Sequence, residues 1–242
     1  MDRSQQATFQ RFEKKYLLSQ EQYDALTTML GEHLRPDRYF HGSICSLYFD
    51  TPDYQLIRTS LEKPVYKEKL RLRSYGTPGS DDTIFLEIKK KYRGIVYKRR
   101  VPMTLAESDA YLSDGIRPKG DGQILREIDW FRQFYGDLRP AILLSYDRDA
   151  YVAVDDPGLR VTFDCNICWR RDQLRLDAGP GGKLLLPPNQ HLMELKIPSS
   201  MPLWLSHALD ALQLFPTSFS KYGTVYQTIL AENNTQGGIV CA

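Results

Sequence analysis

The sequence predicts an α+β fold, a mostly antiparallel sheet with helices packed outside it. Segments 9–17, 43–49, 65–75, 83–91, 95–102, 141–153, 159–169 and 190–197 are mostly rich in Val, Ile, Tyr and Phe or alternate strictly between polar and apolar residues. Short turns outnumber possible crossover helices among the central segments, and only antiparallel neighbours can be joined so briefly. In segment after segment, one face carries ionisable side chains and the other apolar ones.

In chain order, Arg11, Glu13 and Lys15 share a face of the first strand, because side chains alternate with period two. Ser19 with Gln22 forms a capping-box pattern, opening an amphipathic helix through Leu26, Leu30 and Leu34. Lys67, Lys69, Arg71 and Arg73 line one face of the third strand. LEIKKKYRGIVYKRR, residues 86–100, reads as two strands joined by a turn at Arg93-Gly94. There Glu87 and Lys89 oppose Leu86 and Ile88, while Lys98 and Arg100 oppose Tyr97, Arg99 and Val101. Thr104 with Glu107 caps a short helix that ends before Gly115, and a helix from Gln123 to Tyr135 carries the stripe Ile124, Leu125, Ile128, Phe131 and Phe134. Segment 141–153 fits the pattern less well, since Arg148 shares its face with Tyr146 but also with Leu144 and Ile142. Arg160, Thr162 and Asp164 share a face, as do Glu194 and Lys196. The Pro/Gly-rich stretch 177–188 reads as a loop; Pro202 opens a helix through Leu205, Leu209 and Leu212, and a last helix follows Ser220.

The 242 residues contain no linker-like boundary, so a single domain over 1–242 is expected. A net charge of +2 is too mild for nucleic-acid or membrane binding by bulk electrostatics, so any anion site must be local. MDRSQQATFQRFEKKY has no apolar core of a leader, and no apolar run approaches the roughly 20 residues of a membrane helix, which leads us to expect a cytoplasmic protein without membrane insertion. Of Cys45, Cys165, Cys168 and Cys241, the middle pair matches a CxxC half-site, but no second pair of ligands accompanies it, and reduced thiols are expected. Gly179-Pro-Gly-Gly-Lys183 lacks the flanking residues of a P-loop, and Ser218-Phe-Ser-Lys221 lacks the companion motifs of an SxxK enzyme. His33, His41, His191 and His207 show no ligand spacing.

A sheet closed on itself would turn the repeated Lys/Arg faces toward one interior and leave the apolar faces for helices outside. Unpaired cations in such an interior are costly to assemble unless an anion or water fills it, and a polyphosphate chain meets that demand. The aromatic residues alternate with the cations as strand packing requires, not as a stacking platform, so no nucleic-acid partner is expected.

The motifs Arg11-Phe-Glu-Lys-Lys-Tyr16, Arg71-Leu-Arg73, Leu86-Glu-Ile-Lys89, Lys98-Arg-Arg100, Tyr146-Asp-Arg148, Glu194-Leu-Lys196 and Phe219-Ser-Lys-Tyr222 occur in this order. The set, spread from Phe9 to Leu230, resembles VTC-type polyphosphate polymerase domains of the triphosphate tunnel metalloenzyme superfamily. The resemblance implies an antiparallel β-tunnel, a closed barrel with a cationic interior, that binds ATP or another triphosphate together with a divalent metal, Mn2+ or Mg2+. It implies that Lys15, Arg71, Arg73, Lys89, Lys98, Arg148, Arg160, Lys196 and Lys221 contact phosphate oxygens. Glu194 would be the principal metal ligand, assisted by Glu13 and Glu87; Arg11 stands where the superfamily often has another acid, so metal binding leans further on Glu194.

The implied reaction transfers the γ-phosphate to phosphate, pyrophosphate or polyphosphate, with Arg71, Arg73, Lys89 and Glu194 at the chemistry. Lys98, Arg100, Arg148, Arg160 and Lys221 are cations beyond those needed to grip three phosphates, and they suit an anionic acceptor. A phosphohydrolase with water as acceptor and a polyphosphate-binding module without chemistry are the alternatives.

Overall fold

A computed structural model describes residues 12–93, 95–118 and 122–237. Phe9, Arg11, Gly94 and Cys241 lie outside the described residues. The strands are β1 (Phe12–Ser19), β2 (Leu34–Asp50), β3 (Tyr66–Tyr75), β4 (Thr83–Tyr92), β5 (Ile95–Thr104), β6 (Arg139–Ala153), β7 (Arg160–Arg170), β8 (Lys183–Leu184) and β9 (Gln190–Ile197). The helices are α1 (Gln20–Leu30), α2 (Gln55–Leu61), α3 (Leu105–Ser113), α4 (Gln123–Tyr135), α5 (Leu203–Ala211) and α6 (Lys221–Gly237). The class is α+β, as the sequence predicts.

The strands pair in the order β1-β9-β7-β6-β2-β3-β4-β5, with β8 beside β7. This order has two ends. The antiparallel sheet is therefore met, but among the described residues its hydrogen bonding does not close into the expected barrel. The end strand β5 carries Pro102 and the exposed charges Lys98, Arg99 and Arg100, features that discourage an edge from pairing further.

Contacts group the chain into two compact units. One comprises the described parts of residues 1–42, 148–165 and 187–218, and the other those of 43–147, 166–186 and 219–242. In the first unit, alternation sends Tyr16 and Leu18 of β1, Val161 and Phe163 of β7, and Met193, Leu195 and Ile197 of β9 into a core with Leu26 and Leu30 of α1 and Leu205 and Leu209 of α5. In the second, Leu70 and Leu72 of β3 and Ile84, Leu86 and Ile88 of β4 pack with Leu125, Ile128 and Phe131 of α4. Burying one face of each strand leaves the alternate, charged side chains together on the other.

Both capping boxes form: Ser19 Oγ accepts from the Gln22 amide at 3.2 Å while Gln22 Oε1 accepts from the Ser19 amide at 3.0 Å, and Thr104 and Glu107 reciprocate in the same way. The α1 stripe ends at Leu30, however. Leu34, expected on that helix, belongs to β2, because a turn closed by the His33 amide on the Leu30 carbonyl intervenes. On α4, Phe134 is 63% exposed instead of completing the apolar stripe.

Helix α2 has no counterpart in the sequence reading. Its N-cap, Tyr54, sits at φ 59° and offers no side-chain cap. The buried Asp50 carboxylate does that work from a distance, accepting from the Leu56 amide at 2.8 Å and the Ile57 amide at 3.1 Å. In the 177–188 loop, Gly182 adopts φ +119°, and a Cβ there would lie 2.2 Å from the Trp169 carbonyl oxygen. Only glycine lets this segment lie against β7 and form β8.

Candidate functional site

The register of the second unit sets its charges in rows, since directly paired antiparallel residues share a face. Tyr48, Arg71, Glu87 and Arg100 form one row across β2, β3, β4 and β5. Lys69, Lys89 and Lys98 form the next on β3, β4 and β5. On the other side of the first row, Ser46 pairs with Arg73.

The cations converge on Glu87, whose side chain is 1% exposed. Its Oε2 accepts from Arg71 Nε at 2.8 Å, with the terminal nitrogen at 2.7 Å, while Lys98 Nζ lies 2.6 Å from Oε1 and Arg73 Nε 3.9 Å from Oε2. Burial opposes the charge on Glu87, but Arg71, Arg73 and Lys98 outweigh it and hold its pKa at about 2. Arg73 also donates to Tyr146 Oη at 3.1 Å and to Ser46 Oγ at 3.3 Å. Lys98 answers in the opposite sense: desolvation, with help from Arg73 and Arg71, outweighs Glu87 and brings its ammonium down to about 8. Three cations share one carboxylate, which leaves this face positive.

Aromatic side chains floor this group. Tyr48 Oη accepts from Arg71 at 2.9 Å. Burial alone would raise its pKa, but Arg71, Arg73 and Lys69 together bring the hydroxyl down to about 7. The Tyr48 ring stacks on Tyr222 at 4.7 Å, and Tyr222 Oη donates to Asp50 at 2.7 Å. Lys69 Nζ donates to Ser220 Oγ at 3.3 Å, and Lys221 Nζ lies 4.5 Å over the Tyr146 ring. Arg100 shares the row of Glu87, but its guanidinium covers Phe85 at 4.5 Å. Tyr48, Asp50, Tyr146, Ser220 and Tyr222 were not singled out as site residues by sequence; Tyr146, Ser220 and Tyr222 lie within the quoted motifs, and the signal for Tyr48 and Asp50 is alternation, which puts them on the same face of β2 as Ser46.

The first unit brings together the other expected residues. Lys15, Glu194 and Thr162 form one row on β1, β9 and β7, and Glu13, Lys196 and Arg160 form the next. Lys15 Nζ lies 3.5 Å from a carboxylate oxygen of Glu13 and 3.5 Å from one of Glu194. Arg148 grips Asp164, which is 0% exposed, through two bonds of 2.5 and 2.7 Å, and reaches Glu194 Oε2 at 3.5 Å. Arg160 pairs with Asp37 at 3.8 Å. Asp164 was read from sequence only as a face residue, although a bidentate partner is what a largely buried Arg148, sharing its strand face with Ile142 and Leu144, requires.

The resemblance carried by the motifs implies a divalent metal, and the first unit holds two carboxylates that could bind one. Glu13 and Glu194 are hard oxygen donors that already bracket a cation, the Lys15 ammonium. Thr162 Oγ1, in the same row as Glu194, is buried and has no hydrogen-bond partner among the described residues. No group of three or more His, Cys, Asp and Glu side chains is assembled among the described residues, so Glu13 and Glu194 are the carboxylates that would hold such a cation.

No described helix is long and apolar enough to cross a membrane. The family model of the VTC domain matches residues 10–230. Among solved structures, a candidate adenylate cyclase from Bacillus halodurans is similar with a TM-score of 0.52 at 16% identity, over 86% of this chain and 92% of that one. A candidate adenylyl cyclase from Hippeastrum, described as having a dominant triphosphatase activity, is similar with a TM-score of 0.52 at 16% identity, over 89% and 95% of the two chains. At such identities the likeness is one of fold. No curated protein matches the chain by sequence.

Proposed function

The protein belongs to the VTC domain family, and from that premise we propose that it is a triphosphate tunnel enzyme, a metal-dependent polyphosphate polymerase using ATP. The observation that carries this reading is the face in which Arg71, Arg73 and Lys98 share the single buried carboxylate of Glu87. A cation-rich face held by so few acids is organised before ligand arrives and is completed by an anion. Arg71 and Arg73 suit two-oxygen contacts in a fixed plane, and Lys89, Lys98 and Lys221 suit point contacts along a flexible chain.

In the proposed reaction, an oxygen of an acceptor phosphate attacks the γ-phosphorus of ATP. A new P–O bond forms, the bond to the β,γ-bridging oxygen breaks, and ADP departs with that electron pair. Phosphoryl transfer of this kind asks for alignment and charge stabilisation rather than covalent help from the protein. We assign Glu87 to spacing and charging the arginines, not to metal: its oxygens face Arg71 and Lys98, and a dication there would meet like charge. Glu194 and Glu13 would hold the metal, with Lys15, Arg148, Arg160 and Lys196 on the same sheet face. A divalent cation bound there supplies charge neutralisation for phosphate oxygens.

The test is to incubate purified protein with ATP, Mn2+ and pyrophosphate and to separate products by size. Acid-labile chains longer than triphosphate are expected, with ADP formed in proportion. Orthophosphate as the only product would establish the hydrolase reading instead, and tight polyphosphate binding without turnover would establish a binding module.

A further inference from the structure

Beyond the group around Glu87, the charged face of β3, β4 and β5 continues outward, and its continuation is almost purely basic. Lys69, Lys89 and Lys98 stand directly across from one another, and one step further Lys67 faces Lys91. Like charges placed directly opposite weaken a sheet, so an arrangement repeated over two rows calls for a compensating partner. Lys63, in the connection from α2 to β3, adds another: burial lowers the pKa of Lys67, and Lys91, Lys63 and Lys89 lower it further. Lys67 Nζ donates to the Ser60 carbonyl at 2.9 Å, which places it at the C-terminal end of α2.

Two of the carboxylates nearby are directed to the opposite face. Glu68 occupies the opposite face of β3, where the Tyr66 and Tyr135 hydroxyls donate to it at 2.6 and 3.0 Å. Glu127 pairs with Lys90 and Arg99, again on the opposite face. Glu62, next to Lys63 in the chain, is exposed to solvent.

We propose that Lys63, Lys67 and Lys91 form a binding track for linear polyphosphate that extends past the three phosphates held at Arg71, Arg73 and Lys98. The inference rests on the reading of that group as a triphosphate site and names what lies beside it. At about 3.3 Å per residue, the four residues from Arg71 to Lys67 extend the cationic face by roughly 13 Å. A chain bearing charge along its whole length matches such a row of point cations. Single-stranded nucleic acid matches it less well, because base stacking needs aromatic platforms and Tyr66, Tyr92 and Tyr97 all lie on the opposite face.

The test compares equilibrium affinities for tripolyphosphate and long-chain polyphosphate in the wild type and the double variant Lys63→Gln/Lys91→Gln. Both positions are exposed, so the fold should persist, with a thermal melt as control. Long-chain affinity should fall about tenfold with a shallower salt dependence, while tripolyphosphate affinity stays within about twofold. Equal losses for both ligands, or no loss for the long chain, would overturn the track. So would single-stranded DNA that binds as tightly as long-chain polyphosphate and is weakened as much in the variant. The readout needs no turnover: a length-selective loss in a protein that makes no product sustains the track and removes the polymerase reading, whereas product formation with unchanged long-chain affinity removes the track alone.

Discussion

At the scale of single residues, Glu87 changes the expectation that a face of like charges gives. Sequence alone would make Arg71 a source of repulsion whose removal leaves the empty protein as stable or more so. The geometry reverses that sign, because Arg71 is a direct partner of a carboxylate that is 1% exposed. Arg71→Ala should therefore destabilise the ligand-free protein by about 3 kcal/mol, the usual cost of uncovering a buried charge, as well as weaken triphosphate binding. A denaturant melt at neutral pH checks this, and unchanged stability would mean that Lys98 and Arg73 suffice. Acid titration gives an independent measure. The Glu87 pKa is depressed from 4.5 to about 2, so its contribution is present above pH 4.5 and is lost as pH falls through 2. Glu87→Gln should flatten that part of the stability profile. On the alkaline side, Lys98 near 8 and Tyr48 near 7 are both poised to take up protons when an anion arrives, since added negative charge favours the ammonium and the neutral phenol. Triphosphate affinity should fall between pH 7 and pH 9, and calorimetry in buffers of different ionisation heat should show proton uptake. Tyr48→Phe should reduce that uptake; an unchanged value would remove Tyr48 from the linkage.

At the scale of elements, what was legible depended on whether the cause lay nearby in sequence. Capping boxes at Ser19 and Thr104 are three-residue signals, and both helices begin where those signals place them. Helix α2 was invisible because its amides are satisfied by Asp50, several residues upstream in a strand, across a left-handed Tyr54. The first part of β2 was hidden by Pro36 and Gly42, which interrupt the alternation in the sequence but not the strand itself. Gly182 marks the same boundary between local and tertiary causes. Its glycine-rich surroundings read as an ordinary loop, and only the approach to the Trp169 carbonyl shows why this glycine is needed. Gly182→Ala should lower stability by about 1–3 kcal/mol through strain at positive φ and the displacement of β8. Gly76→Ala, where a Cβ meets nothing within 4 Å and only the positive φ is penalised, is the matched control. Equal thermal shifts in the two variants would show that the close approach is not what matters.

At the scale of the whole molecule, strand alternation made the charged faces legible, because it depends only on period two and on which side is buried. It could not say which charges meet which. The pairing of Arg71 with Glu87 and Lys98, and of Arg148 with Asp164, follows from the register between consecutive strands, which a period of two leaves open. The closed barrel, drawn from the same alternation, went beyond it, since alternation fixes faces and not the pairing of end strands. What separates a polymerase from a hydrolase is likewise a matter of arrangement. A hydrolase needs a positioned water beside the γ-phosphate, whereas a polymerase must also hold an anionic acceptor there. Lys221 has its ammonium over the Tyr146 ring, whose hydroxyl accepts from Arg73, and in the proposed reaction it would hold that anion. Lys221→Ala should therefore leave ATP affinity within about threefold while lowering the rate at which pyrophosphate is extended by at least about tenfold, the size of one charge-assisted contact. ATP consumption without added acceptor should change less than extension does. If Lys221→Ala instead lowers ATP affinity and extension in step, the side chain belongs to the triphosphate grip, and the acceptor must be held by other cations of the molecule.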